Sequence, residues 1–386
     1  MKAGWQATTL GKISQIKGGK RVPKGYTLSA TPTEFPYIRV TDFNDYGTID
    51  LNDLRYVDAD VHSQIRNYII NSKDLYISIA GTIGKTGIIP DDLSGSNLTE
   101  NACRLVFNSD INNRFIYYFT KTADFIEQAG VQTRTAAQPK LALSRLSNIQ
   151  LAVPPLSEQH RIVTILDEAF EGIATATANA KKNLANAREL FESYLQSIFT
   201  NKGDGWLESK LGDLCEELFA GGDVPKANSS KIKTELFNIP IFSNGEKNKG
   251  LYGFTNVIRV SKPSITVSAR GTIGYSEIRN EPFYPAIRLI VVTPKVDVLN
   301  LFFLKYVIIG IDFTHSGSSI PQLTVPMIKE YPIQFPPLNI QQSIVSKLDD
   351  LFMETKKLEA IYQQKLTTLE ELKKSILNQA FSGQLN

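Results

Sequence analysis

The sequence predicts an α+β fold in which one globular module is written twice and each copy is followed by a long helix. Two observations carry that reading: an internal repeat at an offset of 182 residues, and a coiled-coil pattern in both repeated stretches. Pro154, Pro155, Leu156, Gln159, Ile162, Val163, Leu166, Asp167 and Phe170 recur as Pro336, Pro337, Leu338, Gln341, Ile344, Val345, Leu348, Asp349 and Phe352. Repetition on this scale makes the chain an array of like units before anything else is decided.

Both repeated stretches read as helices. Apolar or small residues recur in steps of three and four, from Ile162 through Ala180 to Tyr194 and Ile198, and from Ile344 through Thr355 to Leu372 and Ala380. That spacing is the seam two helices bury against each other. A diproline opens each run because proline cannot continue a helix inward, and Ser157 and Asn339 suit the N-cap. Gly203 and Gly383 follow the last periodic residues, where helices stop.

The modules repeat as well. Gly4-Trp5 and Leu10-Gly11 return as Gly205-Trp206 and Leu211-Gly212, and Gly18-Gly19 with Val22-Pro23 returns as Gly221-Gly222 with Val224-Pro225. Short β-type runs follow, at Phe35–Val40, Leu75–Ile79, Ile239–Phe242 and Ser264–Ser268, parted by Gly, Asn and Asp. The second run of each copy enters the same turn, Gly81-Thr-Ile-Gly84 and Gly271-Thr-Ile-Gly274. Aromatic helical segments at Arg114–Ile126 and Leu299–Ile309 close each module. The predicted boundaries are residues 1–155, 156–202, 203–337 and 338–386. Trp5 and Trp206 are expected to anchor cores rather than stack on bases.

At 386 residues, the chain exceeds one core's usual size. Two cysteines are too few for a disulfide framework, no run reaches transmembrane length, and the N-terminus lacks a signal-type apolar core, so a cytoplasmic setting is expected. Lys and Arg slightly outnumber Asp and Glu in both globular segments but not in the helices. A nucleic-acid surface is therefore expected on the modules.

Further motifs carry a family resemblance. They are the PPL-x-x-Q-x-x-I-V-x-x-L-D helix openings, Tyr37-Ile-Arg-Val-x-Asp42, both GTIG turns, and Gln138-Pro-Lys-Leu141 with Ser144-Arg-Leu146. With these the chain resembles the specificity subunits of type I restriction-modification enzymes over essentially its whole length. The second copy departs at Pro321-Gln-Leu323 and Ile340-Gln341. The resemblance implies two target recognition domains, each reading half of a bipartite DNA sequence, joined and spaced by two helices in an antiparallel coiled coil. It implies a non-catalytic chain without cofactors of its own. Two modification subunits would methylate adenine with S-adenosylmethionine, and restriction subunits would translocate and cleave with ATP and Mg. An orphan DNA-binding scaffold of the same architecture is the alternative.

The residues support that division. Gly84-Lys85-Thr86 imitates the end of a phosphate-binding loop, but Ile79 stands where its first glycine belongs and the second copy reads Gly274-Tyr275-Ser276. His62, His160 and His315 are scattered, with no metal-ligand spacing. No Asn-Pro-Pro-Tyr run of the amino-methyltransferase kind is present. A free-standing methyltransferase or nuclease would need motifs the chain lacks.

DNA contact is expected first from two donor-rich loops at equivalent places, through Arg134, Gln138 and Lys140, and through Ser318 and Gln322. A solvated connection would carry the same residues. Arg39, Thr41 and Asp42 are further candidates, against the competing reading of a strand-edge ion pair. Lys85, Arg104, Asn244, Lys247, Lys249, Arg270, Tyr275 and Arg288 complete the set.

Overall fold

The computed structural model describes residues 4–130, 140–203, 205–311, 313 and 322–385. It divides into two compact units, residues 1–180 with 364–386, and residues 181–363. Each unit therefore combines one globular module with part of both long helices.

In the first unit, strands order as Ser14–Gly18, Ala102–Phe107, Leu75–Ser78 and Thr86–Gly87 in one sheet. A second sheet orders Arg55–Val57, Phe35–Ile38, Ser96–Leu98 and Ile69–Ile70, with Phe35–Ile38 parallel to Ser96–Leu98. An antiparallel ribbon pairs Gln6–Thr9 with Gln150–Val153, so the module's two ends meet beside the diproline. The register sets Leu75 opposite Leu105 and Ile77 opposite Cys103. This apolar layer is covered by helix Asn113–Phe119, which buries Phe115, Ile116 and Phe119. The aromatic stretch expected as one helix breaks at Thr120–Thr122. Thr122 caps a second helix, Ala123–Ala129, by accepting from the Phe125 amide.

The second unit repeats this plan. Its first sheet orders Cys215–Ala220, Ile290–Pro294, Ser264–Val267 and Ser276–Arg279, setting Ile265 opposite Val292 and Val267 opposite Ile290. Its ribbon pairs Leu207–Lys210 with Pro332–Phe335. The second sheet keeps a parallel central pair, Ile239–Phe242 with Tyr284–Pro285. Its fourth strand, Ser229–Ser230, lies at the opposite edge from its counterpart in the first unit. Trp5 sits edge-on to Phe115 with ring centres 6.4 Å apart, and Trp206 does the same with Phe303 at 6.3 Å. Both tryptophans are core anchors.

The long helices span Leu156–Thr200 and Leu338–Ser382 and pack together. In the first unit, Arg161 donates to the Leu385 carbonyl at 2.8 Å and Lys373 lies over the Phe170 ring. In the second unit, Phe191 meets Phe352, and Arg188 lies 3.9 Å from Glu359. One residue number rises as the other falls, so the pair is antiparallel. Each helix begins one residue before its expected cap. The Pro155 and Pro337 carbonyls accept the first amide bonds, which places Ser157 and Asn339 inside the first turn. Each tail also departs from the expected seam. Tyr194 and Leu372 are 36% and 45% exposed, whereas Leu195 and Leu377 are each 4% exposed and join the module cores. A straight helix drifts from a strict heptad, and this drift turns the tail's apolar face onto the module.

One contact fastens each module to its helix. The Gln159 carboxamide, 1% exposed, accepts from the Asn112 amide at 2.8 Å and donates to the Asp110 and Pro154 carbonyls at 3.0 and 2.9 Å. Gln341, 0% exposed, repeats the set with the Asn300 amide and the Val298 and Pro336 carbonyls. Two turns further on, the Tyr118 hydroxyl donates to Asp167 and the Tyr306 hydroxyl donates to Asp349. Gln159→Leu would strand three buried backbone groups, at a cost of about 3 kcal/mol or more. With Trp206→Phe as background, Trp5 fluorescence during urea unfolding isolates the first unit. A markedly lower midpoint is expected, and an unchanged midpoint would deny the contact its role.

Candidate nucleic-acid interface

The glycine turns are built alike in both units. Ser78 closes the first turn, its carbonyl accepting from Gly84 N at 2.9 Å and its amide donating to Lys85 O at 2.9 Å. Ser268 does the same with Gly274 N at 3.0 Å and Tyr275 O at 2.8 Å. Gly81, Gly84, Gly271 and Gly274 take φ of +73°, +88°, +73° and +84°, which is why glycine recurs there. Beside each turn runs the segment that enters the last strand of its module. Leu141 N bonds Ile79 O at 2.8 Å, and Leu323 N bonds Ala269 O at 3.0 Å. The paired glycines complete the frame: Gly19 N bonds Ala102 O and Gly221 N bonds Leu289 O. A Cβ at Gly19 would stand 2.1 Å from the Thr99 carbonyl oxygen, and one at Gly221 would stand 2.4 Å from that of Pro285. No other residue fits either place.

The structure distributes the expected contact residues unevenly. Arg134, Gln138 and Ser318 lie outside the described residues. Lys140 is exposed at the rim of the first frame, donating to the Glu100 carbonyl at 3.3 Å. Gln322 holds the equivalent place in the second frame and accepts from exposed Arg270 at 2.8 Å. Asn244 joins two turns of that rim, accepting from Ala269 N and donating to Ile287 O, both at 2.7 Å. Arg288 is exposed beside it, with φ +64°.

The remaining candidates have other partners or stand apart. Arg39 grips Asp42 at 2.6 Å and reaches Asp53 at 3.1 Å, with Asp42 only 3% exposed, which is the strand-edge ion pair. The hydrogen bond to Asp42 raises the Arg39 pKa. Thr41 is exposed next to it. Lys85 donates to the Phe43 carbonyl and lies 3.3 Å from Asp45. Lys247 and Lys249 are exposed on a short helical turn, Lys249 at φ +53°. Tyr275 donates to Glu277, and burial and that bond push its hydroxyl up to about 12.

Arg104 is inside the module. It is 7% exposed, its nearest carboxylate oxygen, on Asp74, lies 3.8 Å away, and burial pulls its pKa down. Its Nε and Nη1 make no hydrogen bond. This placement offers no surface to DNA.

Two rim residues, Glu100 and Ile287, are not singled out by the sequence. Glu100 is held by Arg21 at 2.6 Å and by the Thr99 hydroxyl at 3.0 Å. Burial pushes its carboxyl up, but the bonds from Arg21, its own backbone and Thr99 outweigh this and hold its pKa below the ordinary value. Ile287 is 50% exposed at φ +51°, a conformation costly for a β-branched residue. Sheet pairing brings together residues far apart in the chain, and only the repeated Gly-Gly pointed here.

The geometry thus defines a class: a two-module α+β protein whose equivalent frames present polar rims. The profile of the type I restriction modification DNA specificity domain matches residues 2–186 and again residues 203–369. The chain belongs to that family. One Mycoplasma pneumoniae chain named as a type I specificity subunit is 34% identical over 266 residues, covering 64% of this chain and 75% of that one. A second from the same organism is 31% identical over 249 residues, covering 64% of this chain and just under two thirds, 66%, of its own length. The HsdS subunit of Thermoanaerobacter tengcongensis shares the fold with a TM-score of 0.68 at 20% identity, covering 100% of this chain and 98% of that one. A chain from a study of type I restriction-modification complex assembly and conformational transition reaches 0.79 at 19% identity, covering 100% and 99%.

Buried Arg104 and exposed Lys140 should respond differently to mutation. Arg104→Met should leave the salt dependence of DNA affinity unchanged. Lys140→Met should flatten the slope of log K against log salt by about 0.9, as expected for one lost phosphate contact. Equal slopes for both variants would remove Lys140 from the interface.

Proposed function

We propose that this chain is the DNA-reading subunit of a type I restriction-modification complex, each module recognising one half of a bipartite target. The observation that carries this reading is the double match to a DNA specificity domain, once per module. Antiparallel helices with equivalent openings give the two modules equivalent seats.

Catalysis lies in partners. Modification subunits methylate adenine in each half-site using S-adenosylmethionine, and restriction subunits cleave using ATP and Mg. Among the described residues, no cluster of His, Cys, Asp and Glu is suited to a metal. The modification subunits dock on the helical pair, one near each opening. Glu168, Lys347 and Asp350 are exposed there, while Arg161 is engaged with Glu158 and the Leu385 carbonyl. The complex works in the cytoplasm.

Incubation with target DNA and labelled S-adenosylmethionine tests the assignment. No transfer is expected from the chain alone, and transfer is expected once modification subunit is added. Sedimentation should show two modification subunits per chain. Label transferred by the isolated chain, or saturation at one subunit, would contradict the proposal.

A further inference from the structure

The repeat supplies a comparison within one chain. Around the glycine turn three backbone bonds coincide, those of the Gly84, Ser78 and Leu141 amides with those of Gly274, Ser268 and Leu323, and the core positions keep their class: Leu75 matches Ile265, Ile77 matches Val267, and Leu105 matches Val292. The register also equates the turn after Ser96–Leu98 with the turn after Tyr284–Pro285, since Thr99 N bonds Ile38 O as Ala286 N bonds Phe242 O. On that shared turn the side chains differ completely. Glu100 and Asn101 stand in the first module, and Ile287 and Arg288 stand in the second.

Surface drift alone would vary such residues, but it would not hold them rigid. Glu100 is fixed by Arg21 and Thr99. Ile287 and Arg288 occupy consecutive left-handed positions, where a drifting surface would settle on glycine or asparagine. Four bonds impose the conformation: Ile287 N to Gly222 O at 2.8 Å, Arg288 N to Gly221 O at 3.0 Å, Leu289 N to Ala286 O at 3.2 Å, and Asn244 Nδ2 to Ile287 O at 2.7 Å. Strain of this kind persists where surrounding structure over-determines it, typically at working sites. A half-exposed isoleucine beside an arginine suits a thymine methyl next to a guanine, and a fixed carboxylate suits the cytosine amino group.

We propose that this turn is the base-reading position of each module. Glu100, steadied by Arg21, accepts from cytosine N4 in the first half-site. Ile287 covers a thymine methyl and Arg288 donates to guanine O6 and N7 in the second. The assignment rests on the proposed function and deepens it to particular residues and bases.

The test uses the full chain with its modification subunit, expressed in a cell free of other adenine methylation, with modified adenines mapped across the genome. Glu100→Gln should move one position of one half-site from cytosine toward adenine, because an amide pairs with adenine N6 and N7. Arg288→Gln should move one guanine of the other half-site toward adenine. Each preference should change by about 10- to 100-fold. The unaltered half-site in each variant reports that the chain is folded. An unchanged motif in both variants, or a uniform loss of methylation with both, overturns the proposal, since neither change removes the backbone bonds that hold the frame. If the unaltered chain directs no split motif, the proposed function itself fails, which is a distinct result.

Discussion

The buried carboxamide of Gln159, with its counterpart Gln341, is the contact on which the rest of this architecture depends. Each bonds three backbone groups that would otherwise be stranded: the diproline carbonyl, and the carbonyl and amide of the loop entering the module's aromatic helix. Buried backbone groups require such partners, so the side chain fixes where the module sits on its helix. The Tyr118–Asp167 and Tyr306–Asp349 bonds set the same seat two turns on. Burial, reinforced by the carboxylate, drives both hydroxyl pKa values upward, so each tyrosine stays a donor. The first unit adds Arg114 on Asp167 at 2.5 Å, where the second presents Phe302.

A fixed seat frees the module's outer rim to vary. The glycine frame is steric and backbone-based: positive φ at the GTIG turns, and carbonyls too near Gly19 and Gly221 for any side chain. Such a frame does not depend on rim chemistry. Glu100 with Lys140 in one copy and Ile287 with Gln322 in the other can then occupy like positions without disturbing the core. Under the proposed function, reading two unlike half-sites with one fold would use this separation of support from contact.

The architecture was legible because its supports are local or repeated. Gln159, Asp167 and the GTIG turns recur at fixed offsets, and helical periodicity announced both long helices. A strict heptad takes no account of a second apolar face, so it predicts Tyr194 and Leu372 in the seam, where the structure leaves them exposed, and omits buried Leu195 and Leu377. The site was less legible. Arg104 looked like any other arginine until strand pairing placed it opposite Lys17 and beside Asp74. Glu100 meets Arg21 only through sheet topology, and the strain at Ile287 leaves no trace in composition.

The central claim is that the two seats are equivalent and each module reads independently. The most direct test replaces residues 203–337 with a second copy of residues 1–155 and maps the adenines methylated by the resulting complex. Equivalent seats predict a folded chain whose target carries the first module's half-site in both positions. Retention of the original second half-site would contradict the account, as would a chain that cannot seat the duplicated module.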